Sequence, residues 1–253
     1  MSYPKDVLST RAIVKPGLFA VLPRAGLVNN VLPGVENAKV SILASPKLGA
    51  SFVQYVIEAE AGGCAKEPLA AEPDVESFIY CIDGFVECTV SGQHIHLSTG
   101  GYIYLPANQG GIQFTCKEAS RLLLYKQKFV PIAGEEPYLV QGNVNDIPFQ
   151  EYEGMTNVFI KDLLPKDIAF DMNMHILSFE PGGCHSFVET HVQEHGAYIL
   201  SGEGMYIMEQ EWMPIRKDDF MWFGPYVPQA SYGIGREPFA YIYSKDCNRD
   251  VIL

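Results

Sequence analysis

Apolar and polar positions alternate along this chain in short runs, and they seldom fall into the three-and-four spacing of a helix face. Between residues 40 and 130 the runs are Ser51 to Ile57, Phe78 to Ile82, Phe85 to Val90, Tyr102 to Leu105 and Arg121 to Tyr125. Turn formers punctuate them, which predicts the strands of a sandwich or barrel. The same texture resumes from about residue 170: Met174 to Phe179, Tyr198 to Leu200, Met205 to Met208, Phe220 to Phe223 and Ala240 to Tyr243. The intervening stretch carries Pro131, Gly134, Pro137, Gly142 and Pro148 and reads as a connector, with a short helix expected near Lys161-Asp162-Leu163-Leu164. Residues 1–40 are rich in Pro, Gly and Val. Their apolar segments, Ala12-Ile13-Val14 and Leu18 to Leu22, predict an extended arm that packs on the body or on a neighbouring subunit. The expected division is an arm (1–40), a first barrel (41–135), a connector (136–170) and a second barrel (171–253).

The two β regions repeat one another. Gly62-Gly63-Cys64 recurs as Gly182-Gly183-Cys184, offset by 120. Gly84 answers to Gly202, Tyr102-Ile103-Tyr104 to Phe220-Met221-Trp222, and Tyr125 to Tyr243, all offset by 118. Two copies of a short-strand unit predict an all-β protein, a duplicated jelly roll.

Composition narrows the function. The 253 residues are 47% hydrophobic, enough for a sizeable core. Eighteen basic and thirty acidic residues give a net charge of -12, and no Lys/Arg-rich run is present. Nucleic acid is therefore not an expected partner, and a small anionic substrate would need a local positive centre. No apolar run reaches the ~18 residues of a membrane span, and Met1-Ser2-Tyr3-Pro4-Lys5-Asp6 opens polar, unlike a secretory signal. The six cysteines form no Cys-x-x-Cys pair and read as reduced thiols of a cytoplasmic protein.

One stretch departs from the apolar texture: Glu189-Thr190-His191-Val192-Gln193-Glu194-His195. On a strand the even offsets put Glu189, His191 and His195 on one face. Two imidazoles and a carboxylate inside a barrel would make a metal site. A plain solvated strand is the alternative, but the run leads directly into the apolar Gly196 to Leu200. The other histidines are weaker candidates. His94-Ile95-His96 lies late in the first repeat with no third ligand nearby and is expected on a polar outward face. His185 is expected as a loop residue or an outer hydrogen-bond donor, and His175 as a satisfied core histidine.

Residues 189–202 resemble the cupin pattern, with Glu189 and His191 in the His-x-His places, His195 in the Glu place and Gly202 closing it. The second cupin element reads Asp218, Gly224, Tyr226, Gln229, with Gln229 at the late histidine. This permuted set, together with Phe170 to His175, Tyr241 to Asp250 and Leu48 to Phe52, resembles the (S)-ureidoglycine aminohydrolases, a bicupin family of allantoin catabolism. The resemblance runs over nearly the whole chain. It implies a metal held by Glu189, His191, His195 and Gln229, and it implies Mn2+. The ligand types alone leave Fe2+, Co2+ or Ni2+ open. It also implies release of ammonia from a small anionic ureido substrate. Glu189 would move protons and Lys245 would receive the substrate carboxylate, with Gln229, Tyr206 and Tyr241 beside the substrate. Strand core is the ordinary fate of such tyrosines. Parity on the last run puts Tyr241, Tyr243 and Lys245 on one face.

Carried back by 118, the four ligand places become Ala71, Pro73, Ser77 and Gly111, none of them an ordinary metal ligand, so one metal per chain is expected. A homo-oligomer is expected as well. Another metal-dependent cupin enzyme, a dioxygenase or an isomerase, and a non-enzymatic small-molecule-binding cupin stay open on the residues alone.

Overall fold

The computed structural model describes residues 12–251, so residues 1–11, with the polar opening Met1–Asp6, and residues 252–253 lie outside the described residues. The first repeat holds β3 (Val35–Ala44), preceded by β1 (Ile13–Lys15) and β2 (Phe19–Leu22), then β4 (Phe52–Leu69), β5 (Val75–Asp83), β6 (Phe85–Val90) and β7 (Gln93–Ser98). It closes with β8 (Gly101–Leu105), β9 (Ile112–Cys116) and β10 (Ser120–Lys128). The connector supplies β11 (Val140–Asn143), β12 (Gln150–Tyr152) and β13 (Met155–Asp162). The second repeat holds β14 (Met172–Phe179), β15 (His195–Ser201), β16 (Glu203–Met208), β17 (Glu211–Arg216), β18 (Phe220–Phe223), β19 (Gln229–Gly233) and β20 (Phe239–Asp246).

The first repeat builds one sheet, ordered β11-β8-β5-β10-β4-β9-β6-β7 with β3 on the free side of β4. The second builds a sheet ordered β1-β2-β18-β15-β20-β14-β13-β12 and a separate sheet, β17-β16-β19. The four central strands of the large sheets correspond, β8-β5-β10-β4 against β18-β15-β20-β14. Three apolar clusters fill the molecule. One lies inside each barrel, around Ile57, Ile79 and Leu124 in the first and around Met208, Phe223 and Tyr241 in the second. The third, around Phe52, Tyr104, Phe170 and Trp222, lies where the two large sheets meet. A strand between that interface and a barrel interior is covered on both faces, which is why β14 is buried at every position. The outer β17 alternates exposed and buried residues toward its end.

Two local expectations change, and one is made specific. Lys161 and Asp162 end β13 rather than opening a helix, because the backbone continues to pair with β14, Leu163 N–H donating to Met174 O at 2.9 Å. Leu163 and Leu164 then fall into the interface core. The described part of the arm does pack on the body, by strand pairing: β2 pairs with β18 in the second large sheet, while β3 pairs with β4 of the first. The repeat register also shifts at its last strand. Leu124 pairs with Tyr55 and Ile79, as Tyr243 pairs with His175 and Ala197. Leu124 therefore occupies the place of Tyr243, and Lys126 that of Lys245. Tyr125, expected to match Tyr243, points into the interface instead.

Candidate metal centre and substrate cavity

The polar stretch does not form one strand. Glu189 sits in an isolated bridge to Gln229, each donating its backbone N–H to the other's carbonyl at 2.9 Å. Residues 190–194 loop outward, and Tyr226 N–H donates to His191 O at 2.7 Å to hold that loop on the segment before β19. Strand β15 begins only at His195. The even spacing thus reaches the cavity by a bridge, a loop and a strand start, rather than by one pleated face.

Glu189, His191, His195, Gln229, Tyr206, Tyr241 and Lys245 all line one cavity in the second barrel, together with Tyr152 and Tyr243. It holds about 20 Å3 of free space, enough for an ion or a water. His191 Nδ1 donates to Gln193 O at 2.9 Å, and His195 Nδ1 donates to Ser244 O at 2.8 Å. A carbonyl can only accept, so each Nδ1 carries the proton and each Nε2 is left with its lone pair. Those two Nε2 atoms face one another at 3.2 Å. Two acceptors at that distance repel unless a cation lies between or beside them. Burial lowers the pKa of both imidazoles, that of His195 well below its ordinary value, so they stay neutral and able to ligate. The Gln229 amide completes the group. Its nitrogen is 3.1 Å from His191 Nε2, and its oxygen accepts from Tyr206 Oη at 3.3 Å. A rotation of the amide by half a turn puts the oxygen toward the imidazoles, the orientation a cation favours.

Glu189 is present in the cavity without closing on this group. Among the described residues no three His, Cys, Asp or Glu side chains gather as a metal shell. Burial raises the Glu189 pKa, and the Lys245 ammonium opposes that rise. Lys245 is the one lysine or arginine among the described residues lining the cavity. The Tyr206 hydroxyl lies 3.4 Å from that of Tyr241, and burial pushes both phenols up. The donor set of two unprotonated imidazole nitrogens, one amide and one carboxylate fits a divalent cation of the borderline-to-hard class.

The remaining histidines lie elsewhere. His94 and His96 are on the exposed face of β7 beside Glu87. His175 is buried and hydrogen-bonded through Nδ1 to Asp162 at 2.8 Å. His185 Nδ1 accepts from Ser231 N–H at 2.9 Å, outside the cavity lining. Tyr152 enters the cavity from the connector, and nothing in its local pattern marks it. Tyr243 enters by the parity that also brings Tyr241.

No family model matches the chain. Among solved structures, the cupin 2 conserved barrel domain protein from Leptotrichia buccalis superposes with a TM-score of 0.61 at 16% identity, covering 92% of this chain and 99% of that one. Protein Ylba from E. coli superposes with a TM-score of 0.89 at 45% identity over 100% of both chains. The two large sheets and their barrels are those of a two-barrel cupin. The (S)-ureidoglycine aminohydrolase of Escherichia coli (strain K12) is 49% identical over 251 residues, 98% of this chain and 96% of that protein. The chain belongs to the (S)-ureidoglycine aminohydrolase family.

Proposed function

We propose that this chain hydrolyses (S)-ureidoglycine to (S)-ureidoglycolate and ammonia at a Mn2+ held by His191, His195, Gln229 and Glu189. The observation that carries the metal is the facing pair of unprotonated Nε2 atoms, 3.2 Å apart in a buried cavity. The kinship to an (S)-ureidoglycine aminohydrolase at 49% identity supports the substrate. When bound, such an ion supplies Lewis acidity and local positive charge.

The chain's own groups have separate tasks. Lys245 is the cation for the substrate carboxylate, and its flexible ammonium needs to reach only one oxygen. Glu189 stands close enough to Lys245 to feel its charge, so a substrate anchored there presents its reacting carbon near the Glu189 carboxylate. Water oxygen bonds to that carbon while the carbon–nitrogen bond breaks. Glu189 takes the proton that water loses and delivers it to the amine, which leaves as ammonia. Tyr206 and Tyr241 offer hydroxyls to the ureido group and, with Phe223, narrow the water-accessible space. The same reading has the protein acting in the cytoplasm as a homo-oligomer with one metal per chain, and its second barrel alone doing chemistry.

The test is ammonia release from freshly generated (S)-ureidoglycine, with metal analysis of the same preparation. One transition metal per chain and metal-dependent ammonia release are expected. Oxygen uptake without ammonia would place the chain's chemistry with another class of cupin enzyme.

A further inference from the structure

Glu194, the last loop residue before β15, and His195 and Gly196, the first two residues of that strand, face alternate ways. His195 points into the cavity of the second barrel. Its neighbours, Glu194 and Gly196, point toward the first barrel. Glu194 is buried, and each of its carboxylate oxygens has a partner: Oε1 accepts from the backbone N–H of Ser51 at 2.9 Å, and Oε2 accepts from Trp222 Nε1 at 2.9 Å. Its own N–H donates to Asp246 Oδ1 at 3.0 Å, tying it to the strand end that carries Lys245. Gly196 lies directly under the first barrel's Phe52 and Gln54. A Cβ there would meet the Phe52 ring at 2.8 Å and the Gln54 amide oxygen closer still, so only glycine fits.

We propose that Glu194 is a positioning residue through which the metal-free barrel fixes His195 for the metal. The inference rests on the reading of His195 as a ligand. The two donors reach the carboxylate from different elements, the turn before β4 and strand β18. A carboxylate accepts both, whereas any other side chain leaves at least one buried donor without a partner. His195 takes its tautomer from Ser244 O and its place along the strand from the residue before it. The first barrel keeps its fold in this account because its Ser51 turn is one jaw of that clamp.

The experiment compares Glu194→Gln and Glu194→Ala with the parent protein. Glutamine keeps the shape but turns an NH2 toward one of the two donors. Partners of this kind are worth about 10- to 100-fold in metal affinity. Titration calorimetry with Mn2+ should therefore show affinity reduced by about that factor, with turnover at saturating Mn2+ within about threefold of the parent, below the range of a lost acid or base. Amide hydrogen exchange in metal-free protein should quicken at His195 and Gly196. Ser51→Ala keeps the backbone donor and should change neither readout. Where a Glu194 variant fails to fold, Trp222→Phe removes one donor and keeps a ring in place, and it is read in the same way. Parental Mn2+ affinity in folded variants, or in Trp222→Phe, would overturn the proposal. His195→Ala separates the two readings. If it leaves Mn2+ affinity unchanged, the ligand assignment fails, while the exchange measurement still reports on the clamp.

Discussion

The two barrels share a ladder of strands and differ at a few places around their mouths. In the second, the bridged pair Glu189 and Gln229 and the first residue of β15, His195, frame a narrow polar cavity. In the first, the bridged pair is Leu69 and Ile112, not the Ala71 and Gly111 expected from a uniform offset of 118, because the offset differs between these strands, and the residue at the place of His195 is Ser77 as expected. Its cavity is wider, about 380 Å3, and is lined by Leu69, Ala70, Leu124 and Tyr55. Lys126 keeps the place of Lys245 but is ion-paired with Glu72. Strand pairing therefore survives exchange of the inward side chains, because the ladder is made by backbone groups and by the faces that pack between the sheets. On the proposed reading, four side chains at strand ends and in one loop separate the barrel that would hold a metal from the one that would not.

Matched substitutions sharpen that contrast. His195→Ala should abolish Mn2+ binding and lower kcat/KM by about 10³-fold or more, since a metal Lewis acid is worth several kcal/mol at 1.36 kcal/mol per tenfold. Ser77→Ala, at the corresponding place, should change the rate by less than about twofold, as expected of a site without metal chemistry. Equal losses at the two positions, read by ammonia release, would erase the distinction between the barrels. Glu189→Gln should retain Mn2+ and lower kcat by roughly 10²–10⁴. A variant that keeps its metal and its rate leaves Glu189 as a ligand alone. Lys245→Met should lower kcat/KM by about ten- to 150-fold, the worth of one charge-assisted hydrogen bond. Lys126→Met should leave kcat/KM within about twofold, because its charge already serves Glu72.

The smallest effect concerns pH. The hydrogen bond from His175 holds the Asp162 carboxyl down at about 2. A depressed carboxylate pKa contributes stability above its unfolded value near 3.9, and that stability is lost as pH falls toward about 2. Asp162→Asn should flatten this acid limb, with a loss above pH 5 of no more than about 1 kcal/mol, since the pair is partly solvated. Urea unfolding at a series of pH values measures it.

Much of this was legible in the residues. The glycine repeats marked two barrels because turns with positive φ recur at matched places, Gly62 and Gly182, Gly84 and Gly202. The cluster of His191 and His195 marked the cavity because imidazoles are rare in so apolar a context. The rest depends on contacts distant in sequence. Alternation says that Phe19 to Leu22 is a strand but not which sheet it joins. The even spacing of Glu189, His191 and His195 is compatible with a strand, and only the bridge to Gln229 and the hydrogen bond to Tyr226 show a loop. The shifted match of Tyr125 arises because the offset between repeats changes from one strand to the next. A side chain one position off crosses from barrel interior to interface. Four residues with two leucines are too few to separate a helix turn from a strand end, and at Leu163 pairing with β14 decides.

Strand β2 is made before the whole of the first barrel, yet it pairs, Phe19 opposite Phe223, with a strand of the second. Its place on the second sheet is the one β11 holds on the first. The second barrel cannot cover its own edge until β2, made before the first barrel, returns to it. A nascent chain must therefore keep that apolar strand from other partners until β18 is translated. Closing so long a loop adds an entropic cost, one that grows only with the logarithm of its length, before the pairing rewards it. A second barrel produced alone would expose β18 as an open edge, ready to pair with whatever strand it meets.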